Sequence, residues 1–359
     1  MTDIHDPEQR GAHRPGLIKR VKRQIRGLIT GRQYEKDKDL PVAKIMSDRM
    51  LSSHAWCKPL NEPADWRNEG NYDHMRPEDP VLGVYRNGKA WALPWWIMKN
   101  HHVANVTLDG QPILITLCEV CSSSSAFLAD PADRHHHFRL AGLYNGTNLI
   151  TDLETGSLWN PFKGEAISGP QQGTLLPRIP LAQCEWREWL ELHPGSLVLW
   201  DEQKQREGHG SAQSPGSPGM GSDMRETLLR PFDKRLEHNT LVLGVEGDGT
   251  GHAFPLAELD KAGPVLHATV DQTDIVILHL PGSLHALAYL PELNGKTLRF
   301  NQDADGIIVD EATGSHWNYA AECYAGELSG SQLEYASSGV EEWYIWAAYH
   351  PSSAIYSAH

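Results

Sequence analysis

The sequence predicts an α+β fold: a tandem duplicated β-rich domain, mainly antiparallel sheet with short helices. Three observations carry that expectation. Short apolar runs such as residues 81–85 and 112–117 are bounded by turn residues, the pattern of strands rather than long helices. Asn87-Gly88 and Asp109-Gly110 sit between such runs and favour two-residue hairpins, because both central residues of that turn take positive φ. Finally, residues 239–356 repeat the landmarks of residues 79–200. Asp152-Leu153-Glu154-Thr155-Gly156-Ser157-Leu158-Trp159 returns as Asp310-Glu311-Ala312-Thr313-Gly314-Ser315-His316-Trp317, and Trp186, Trp189 and His193-Pro194 return as Trp343, Trp346 and His350-Pro351. A period this long is not that of a solenoid.

In chain order, residues 1–16 are polar and are expected to lack structure. Residues 17–32 place Leu17, Val21, Ile25 and Leu28 at helical spacing with a basic opposite face. Such a helix either lies on its own acidic domain or docks on a partner or membrane surface. Residues 1–78 as a whole are read as this basic helix and an irregular lead-in. The first repeat, 79–200, contains strands at 81–85, 90–93, 103–108, 112–117, 123–128, 137–141, 148–153 and from 158. Pro94 is suited to opening a helix at 95–100. Residues 185–192 form a short amphipathic helix. Residues 201–238, with a Gly/Ser/Pro-rich centre at 208–222, are read as a linker. The second repeat spans 239–356.

Composition narrows the function. Hydrophobic residues make up 40% of the 359, and charged residues 22%, as in a soluble globular protein. The net charge of −14 disfavours nucleic acid as a partner. Residues 1–38 nevertheless hold ten Lys/Arg against five Asp/Glu. The stretch from Leu17 to Ile29 is broken by Lys19, Arg20, Lys22, Arg23 and Arg26, so it does not read as a leader. The expected setting is cytoplasmic, where five cysteines serve as free thiols, ligands or redox groups.

The chemistry-bearing stretch is the apolar run 112–117 leading into Cys118-Glu119-Val120-Cys121, with His101 and His102 upstream. Aligned at Asp109 and Asp271, Cys118 and Cys121 fall on Leu280 and Ser283 in the second repeat. The thiols are thus dispensable for the fold. Two thiolates on one turn chelate a soft or borderline ion. His101, His102, Cys118 and Cys121 then make a metal set with an open position, suited to zinc or copper and open to iron. His102 would be a ligand or proton carrier. The same cysteines can instead form a metal-free dithiol/disulfide couple. Tyr144 is a candidate catalytic phenol. Trp95, Trp96, Asn145 and Asp152 are candidate substrate contacts, with Trp95 and Trp96 walling a pocket beside His101. Asn145-Gly146 reads equally as an ordinary turn. His135, His136 and His137 sit in a polar connection and read either as metal ligands or, by default, as solvated loop histidines. No nucleophile elbow, phosphate loop or dinucleotide fingerprint is present.

With these residues in hand, the chain resembles the bacterial domain-of-unknown-function family numbered 3179 over roughly residues 79–356. The likeness is carried by residues 81–94, 112–127, Leu143-Tyr144-Asn145, 154–159, His193-Pro194 and their second-repeat partners. The family's pattern is a Trp-His-Glu before a Cys-Pro-x-Cys-Gly. Here the positions read Asn100-His101-His102 and Cys118-Glu119-Val120-Cys121-Ser122, so the His and both Cys match. The resemblance implies the fold and a site at His101, Cys118 and Cys121, with His102 replacing the family's Glu. It implies an exported or anchored setting for many relatives, and it assigns no reaction. Three functions are carried forward. The first is a metal-binding oxidoreductase acting on a small-molecule or peptide substrate. The second is a metal-free dithiol redox protein. The third is a non-catalytic module binding a ligand or partner in a Trp-rich cleft.

Overall fold

A computed structural model describes residues 57–61, 65–68, 70–130, 136–201 and 222–358. The expectations for residues 1–16, for the helix at 17–32, for the lead-in up to 56 and for residues 208–221 lie outside these. The described residues all belong to one compact unit.

The protein is β-rich, with mostly antiparallel sheet and a few short helices. In the N-terminal half, Pro80–Arg86 and Lys89–Pro94 pair as a hairpin whose turn residues, Asn87 and Gly88, have φ of 50° and 74°. Ala182–Glu185 pairs antiparallel with the first strand, and Leu197–Leu199 parallel with the second. A second sheet runs in the order Leu60–Asn61, Val103–Leu108, Gln111–Cys118, Ser123–Leu128, Arg178–Ile179. A third is built from Phe138–Tyr144, Thr147–Asp152, Leu158–Asn160 and Glu165–Ser168. The strands foreseen at 137–141 and 148–153 are thus one hairpin, and Asn145-Gly146 is its turn, with φ of 46° and 84°.

The C-terminal half has matching sheets. Ser338–Glu342, Leu241–Val245, His252–Pro255 and Ala354–Ile355 form one, and Val265–Val270, Thr273–His279, Ala286–Leu290 and Glu334–Ala336 a second. Phe300–Gln302, Ile308–Asp310, His316–Trp317 and Cys323–Ala325 form a third. Registers agree between the halves. Gly83 faces Ala92 and Ala182, and Gly244 faces Ala253 and Gly339.

Each half closes with a helix, Trp186–Leu192 and Trp343–Tyr349. Both are seated on a glycine. The indole of Trp189 covers Gly83, where a β-carbon would lie 2.2 Å from the ring, and Trp346 covers Gly244 at 2.1 Å. Apolar clusters cross between the halves. Trp186 and Trp189 share one with Leu278, Leu287 and Tyr289, while Trp343 and Trp346 share another with Cys118, Cys121 and Leu143. The segment after 221, expected to be linker, folds instead: Ser222–Thr227 is a helix, and Met224, Thr227 and Leu228 are buried. Its Thr227 Oγ1 accepts a hydrogen bond from Gly146 N at 3.0 Å. Among the described residues no helix is long and apolar enough to cross a membrane.

Candidate functional site: a buried thiol pair at the seam between the halves

Cys118 ends the strand Gln111–Cys118 and pairs with Ser123, the first residue of the next strand. The intervening turn brings positions i and i+3 together, with Ser122 at φ 52°. Both thiols are buried, at 4% exposure for Cys118 and 0% for Cys121. Cys121 Sγ lies 3.8 Å from Cys118 O, to which its thiol donates. Cys121 Sγ also lies 3.0 Å from Ser123 Oγ and 3.6 Å from Thr147 Oγ1.

The other wall comes from more than 200 residues downstream. Glu342 ends a strand and precedes the helix Trp343–Tyr349. Its backbone N–H donates to Cys121 O at 3.1 Å, and its carboxyl accepts from Ser122 Oγ at 3.3 Å. Tyr344 donates its hydroxyl to Gly146 O at 3.1 Å and reaches Cys121 as well. Gln183 Nε2 bridges Ser122 O at 3.2 Å and Val340 O at 2.7 Å, fastening the turn to the strand beside it.

Electrostatics divide the two sulfurs. The hydrogen bond with Cys121, and then burial, hold the Cys118 thiol well above its ordinary range. Burial also pushes Cys121 up, but hydrogen bonds from Cys118, Ser123 and Thr147 outweigh it and bring that thiol down to about 7. The two thiols therefore titrate as a unit, with one held up and the other brought down. Burial, then the Cys121 charge, pushes the Glu342 carboxyl up to about 8. Burial holds Glu341 well above the usual carboxylate range too. A thiolate is thus faced by carboxyls that keep their protons at neutral pH.

Both imidazoles have ring contacts to backbone carbonyls rather than to sulfur. Among the described residues the cysteines share no group of three His, Cys, Asp or Glu ligand atoms within 4.8 Å. His102 has φ 59°, which breaks the side-chain alternation as the chain enters Val103–Leu108. His102 Nδ1 then lies 3.2 Å from Leu117 O, while His101 Nδ1 sits 2.6 Å from Lys58 O and Nε2 3.9 Å from Asp201. Trp95 and Trp96 are not pocket walls. They are 1% and 2% exposed and fill the core with Leu82, Val106 and Ile115. Tyr144 is near Glu165, with burial first and that carboxylate second raising its pKa. Asn145 is a turn residue whose Oδ1 accepts from Leu229 N at 3.1 Å.

Asp152 is fully buried and organises its own turn, accepting from Thr155 N, Gly156 N, Thr155 Oγ1 and, at 2.8 Å, Trp159 Nε1. Asp310 does the same for Thr313, Ser315 and Trp317. One group of three potential ligands does occur among the described residues: His136, Asp152 and Glu154. A cavity of about 250 Å³ opens elsewhere, lined by Tyr85, Trp189, His193, His285 and Tyr335 among others, and does not include the cysteines.

A β-rich protein with a buried Cys-x-x-Cys turn at the seam between two similarly built halves is the class that fold and site define. Residues 60–353 match the family described as Protein of unknown function (DUF3179), and the chain belongs to it. No curated protein and no solved structure matches the chain.

Sequence reasoning missed Glu342, Tyr344 and Thr147. A signal existed for the first: Glu341-Glu342 interrupts an apolar run just before a helix whose counterpart is preceded by Cys184-Glu185. Two carboxylates at the end of a buried strand are rarely ornamental.

Proposed function

We propose that Cys118 and Cys121 form a dithiol/disulfide couple, with Glu342 as its proton donor and acceptor. We further propose that the chain is two copies of one domain, of which the first alone keeps the thiols. The carrying observation is a pair of buried thiols on one turn, one pKa held up and the other brought down, faced by a carboxyl held at about 8. Matching registers and glycine-seated tryptophans support the two-copy reading. The metal centre expected on these cysteines has less support, because His101 and His102 bond elsewhere.

In the reducing direction a thiolate of an external dithiol attacks Cys118, the cysteine with the greater residue exposure. Cys121 leaves as the thiolate, and a low thiol pKa speeds that departure. The partner's second thiol then attacks the mixed disulfide. It releases the Cys118 thiolate; of the two protons the partner's thiols give up, one goes to Cys118 and the other to solvent, with Glu342, which reaches the turn at Ser122, as the relay. The partner ends as a disulfide, having given two electrons to the protein.

Untagged protein equilibrated in graded glutathione buffers tests this. The expected result is loss of two hydrogens in the intact mass, with Cys118 and Cys121 joined in the peptide map. Thiols that stay alkylatable in the most oxidising buffer would overturn the reading. So would a stoichiometric metal ion that is lost from Cys118→Ser.

A further inference from the structure

We infer that His136, Asp152 and Glu154 form a binding site for a divalent first-row metal ion such as zinc or manganese, separate from the thiol pair. His136 Nδ1 lies 3.8 Å from Asp152 Oδ1 and 3.9 Å from Glu154 Oε2. Ligand atoms on a tetrahedral zinc, with bonds of about 2.0–2.2 Å, stand about 3.3–3.6 Å apart, so closing around an ion needs only a few tenths of an ångström. One imidazole and two carboxylates suit zinc or manganese better than a soft ion such as Cu(I).

The second observation is the histidine itself. His136 is 1% exposed, and its Nδ1 has no hydrogen-bond partner among the described residues. Burying a polar ring nitrogen against two carboxyl groups without a bond is costly unless something lies between them. The carboxylates are held in place. Glu154 Oε2 accepts from His137 N at 3.0 Å, and Glu154 Oε1 lies 3.0 Å from His137 Nδ1. Asp152 is fixed by its turn. A metal-binding carboxylate oriented from a neighbouring histidine is the kind of outer support that metal sites use.

The C-terminal half shows which parts the fold needs. Phe138 pairs with Asp152, and Phe300 pairs with Asp310 in the same way. Two residues before each phenylalanine stand His136 and Leu298, and two after each aspartate stand Glu154 and Ala312. Asp310 builds its turn without either. The aspartate is therefore structural in both halves, while His136 and Glu154 are additions in one. Of the two sequence readings of His136, metal ligand or solvated loop residue, its burial favours the first.

The experiment is equilibrium dialysis of the untagged full chain against zinc chloride and, separately, manganese chloride. Each is followed by metal analysis and a thermal melt. The expected result is one ion per chain, a melting temperature raised by the bound ion, and at least about hundredfold weaker binding in His136→Leu/Glu154→Ala. Cys118→Ser/Cys121→Ser should keep the ion. Glu154→Gln, at a half-exposed position, guards against misfolding of the double variant and should weaken binding too. Cobalt(II) should give a spectrum free of thiolate-to-metal charge transfer. Absence of bound ion and of any melting shift would overturn the site, as would full stoichiometry in both variants. Loss of the ion only in the cysteine variant would overturn it as well, and would move the metal to the thiols.

Discussion

The turns Cys118–Cys121 and Leu280–Ser283 occupy the same place in the two halves and do different things. The first joins Gln111–Cys118 to Ser123–Leu128 and the second joins Thr273–His279 to Ala286–Leu290, and both rest against the helix of the opposite half. In the N-terminal half, the backbone N–H of Glu185 is capped by Glu188 Oε2 at 2.9 Å. That carboxylate also takes Ser283 Oγ at 2.8 Å, so the C-terminal turn is tied down by an ordinary polar contact. In the C-terminal half the position three residues past Glu342 is Ile345, which cannot cap. Cys121 O takes the Glu342 N–H instead, at 3.1 Å. Loss of one capping side chain thus couples a carboxyl to the thiol turn. The comparison teaches that the thiol site is not a decoration on one sheet. It is assembled by a helix start in one half and a turn in the other.

The largest expected effect tests whether the halves are built alike. Gly83→Ala and Gly244→Ala each drive a β-carbon into an indole, Trp189 or Trp346. Each should cost about 3 kcal/mol or more, at the upper end for overpacking a core, as read by urea unfolding. A large effect in one half alone would break the comparison. Next come Asp152→Asn and Asp310→Asn, which remove the charge from matching turns. Each should cost about 1.5–3 kcal/mol, the range for hydrogen bonds to a charged group. Only Asp152→Asn should also weaken metal binding, measured by dialysis.

Glu342→Gln sharpens the comparison through pH. In the folded chain Glu342 holds its proton up to about 8, whereas an unfolded Glu loses it near an ordinary 4.3. Its contribution to stability is therefore fully present below the unfolded pKa and falls as pH rises toward 8. Glu342→Gln should flatten that fall in melts taken between about pH 5 and 9. It should also slow disulfide reduction above neutrality. An unchanged pH profile would remove Glu342 from the site.

Much of the architecture was legible because its signals are local. Asn87-Gly88 and Asp109-Gly110 fixed two hairpins, and the Thr-Gly-Ser-x-Trp runs located two Asp-centred turns. The thiol turn was legible for the same reason, and its place after residue 117 held. What failed was whatever depends on backbone direction or distance along the chain. Proximity in sequence suggested His101 and His102 as ligands, whereas their Nδ1 atoms lie against Lys58 O and Leu117 O. Trp95 and Trp96 looked free for a pocket because nothing local shows that two sheets close over them. Glu342 and Tyr344 lie more than 200 residues from Cys121, and only the packing of the halves brings them to it.

The smallest expected effect asks whether two thiols suffice. Leu280→Cys/Ser283→Cys, made in the Cys118→Ser/Cys121→Ser background, grafts the pair onto the C-terminal turn. Leu280 is half-buried, and a cysteine thiol, a weaker donor, takes the place of Ser283 Oγ against Glu188, so stability should fall by about 1 kcal/mol. The surroundings differ, however. His285 stands where Ser123 stands, buried and held neutral by burial, with a pKa down to about 3. It supplies no hydroxyl to the thiolate. The carboxylate nearby, Glu188, loses its Ser283 Oγ partner in the graft, keeps the Glu185 N–H, and leaves a negative charge beside the new thiol, which disfavours the thiolate. The grafted cysteines should therefore alkylate with the pH dependence of ordinary thiols, near 8.5 rather than 7. A grafted pair that titrates near 7 would show that the Cys-x-x-Cys turn alone sets the pKa. Thr147, Ser123 and the helix start at Glu342 would then be packing rather than chemistry.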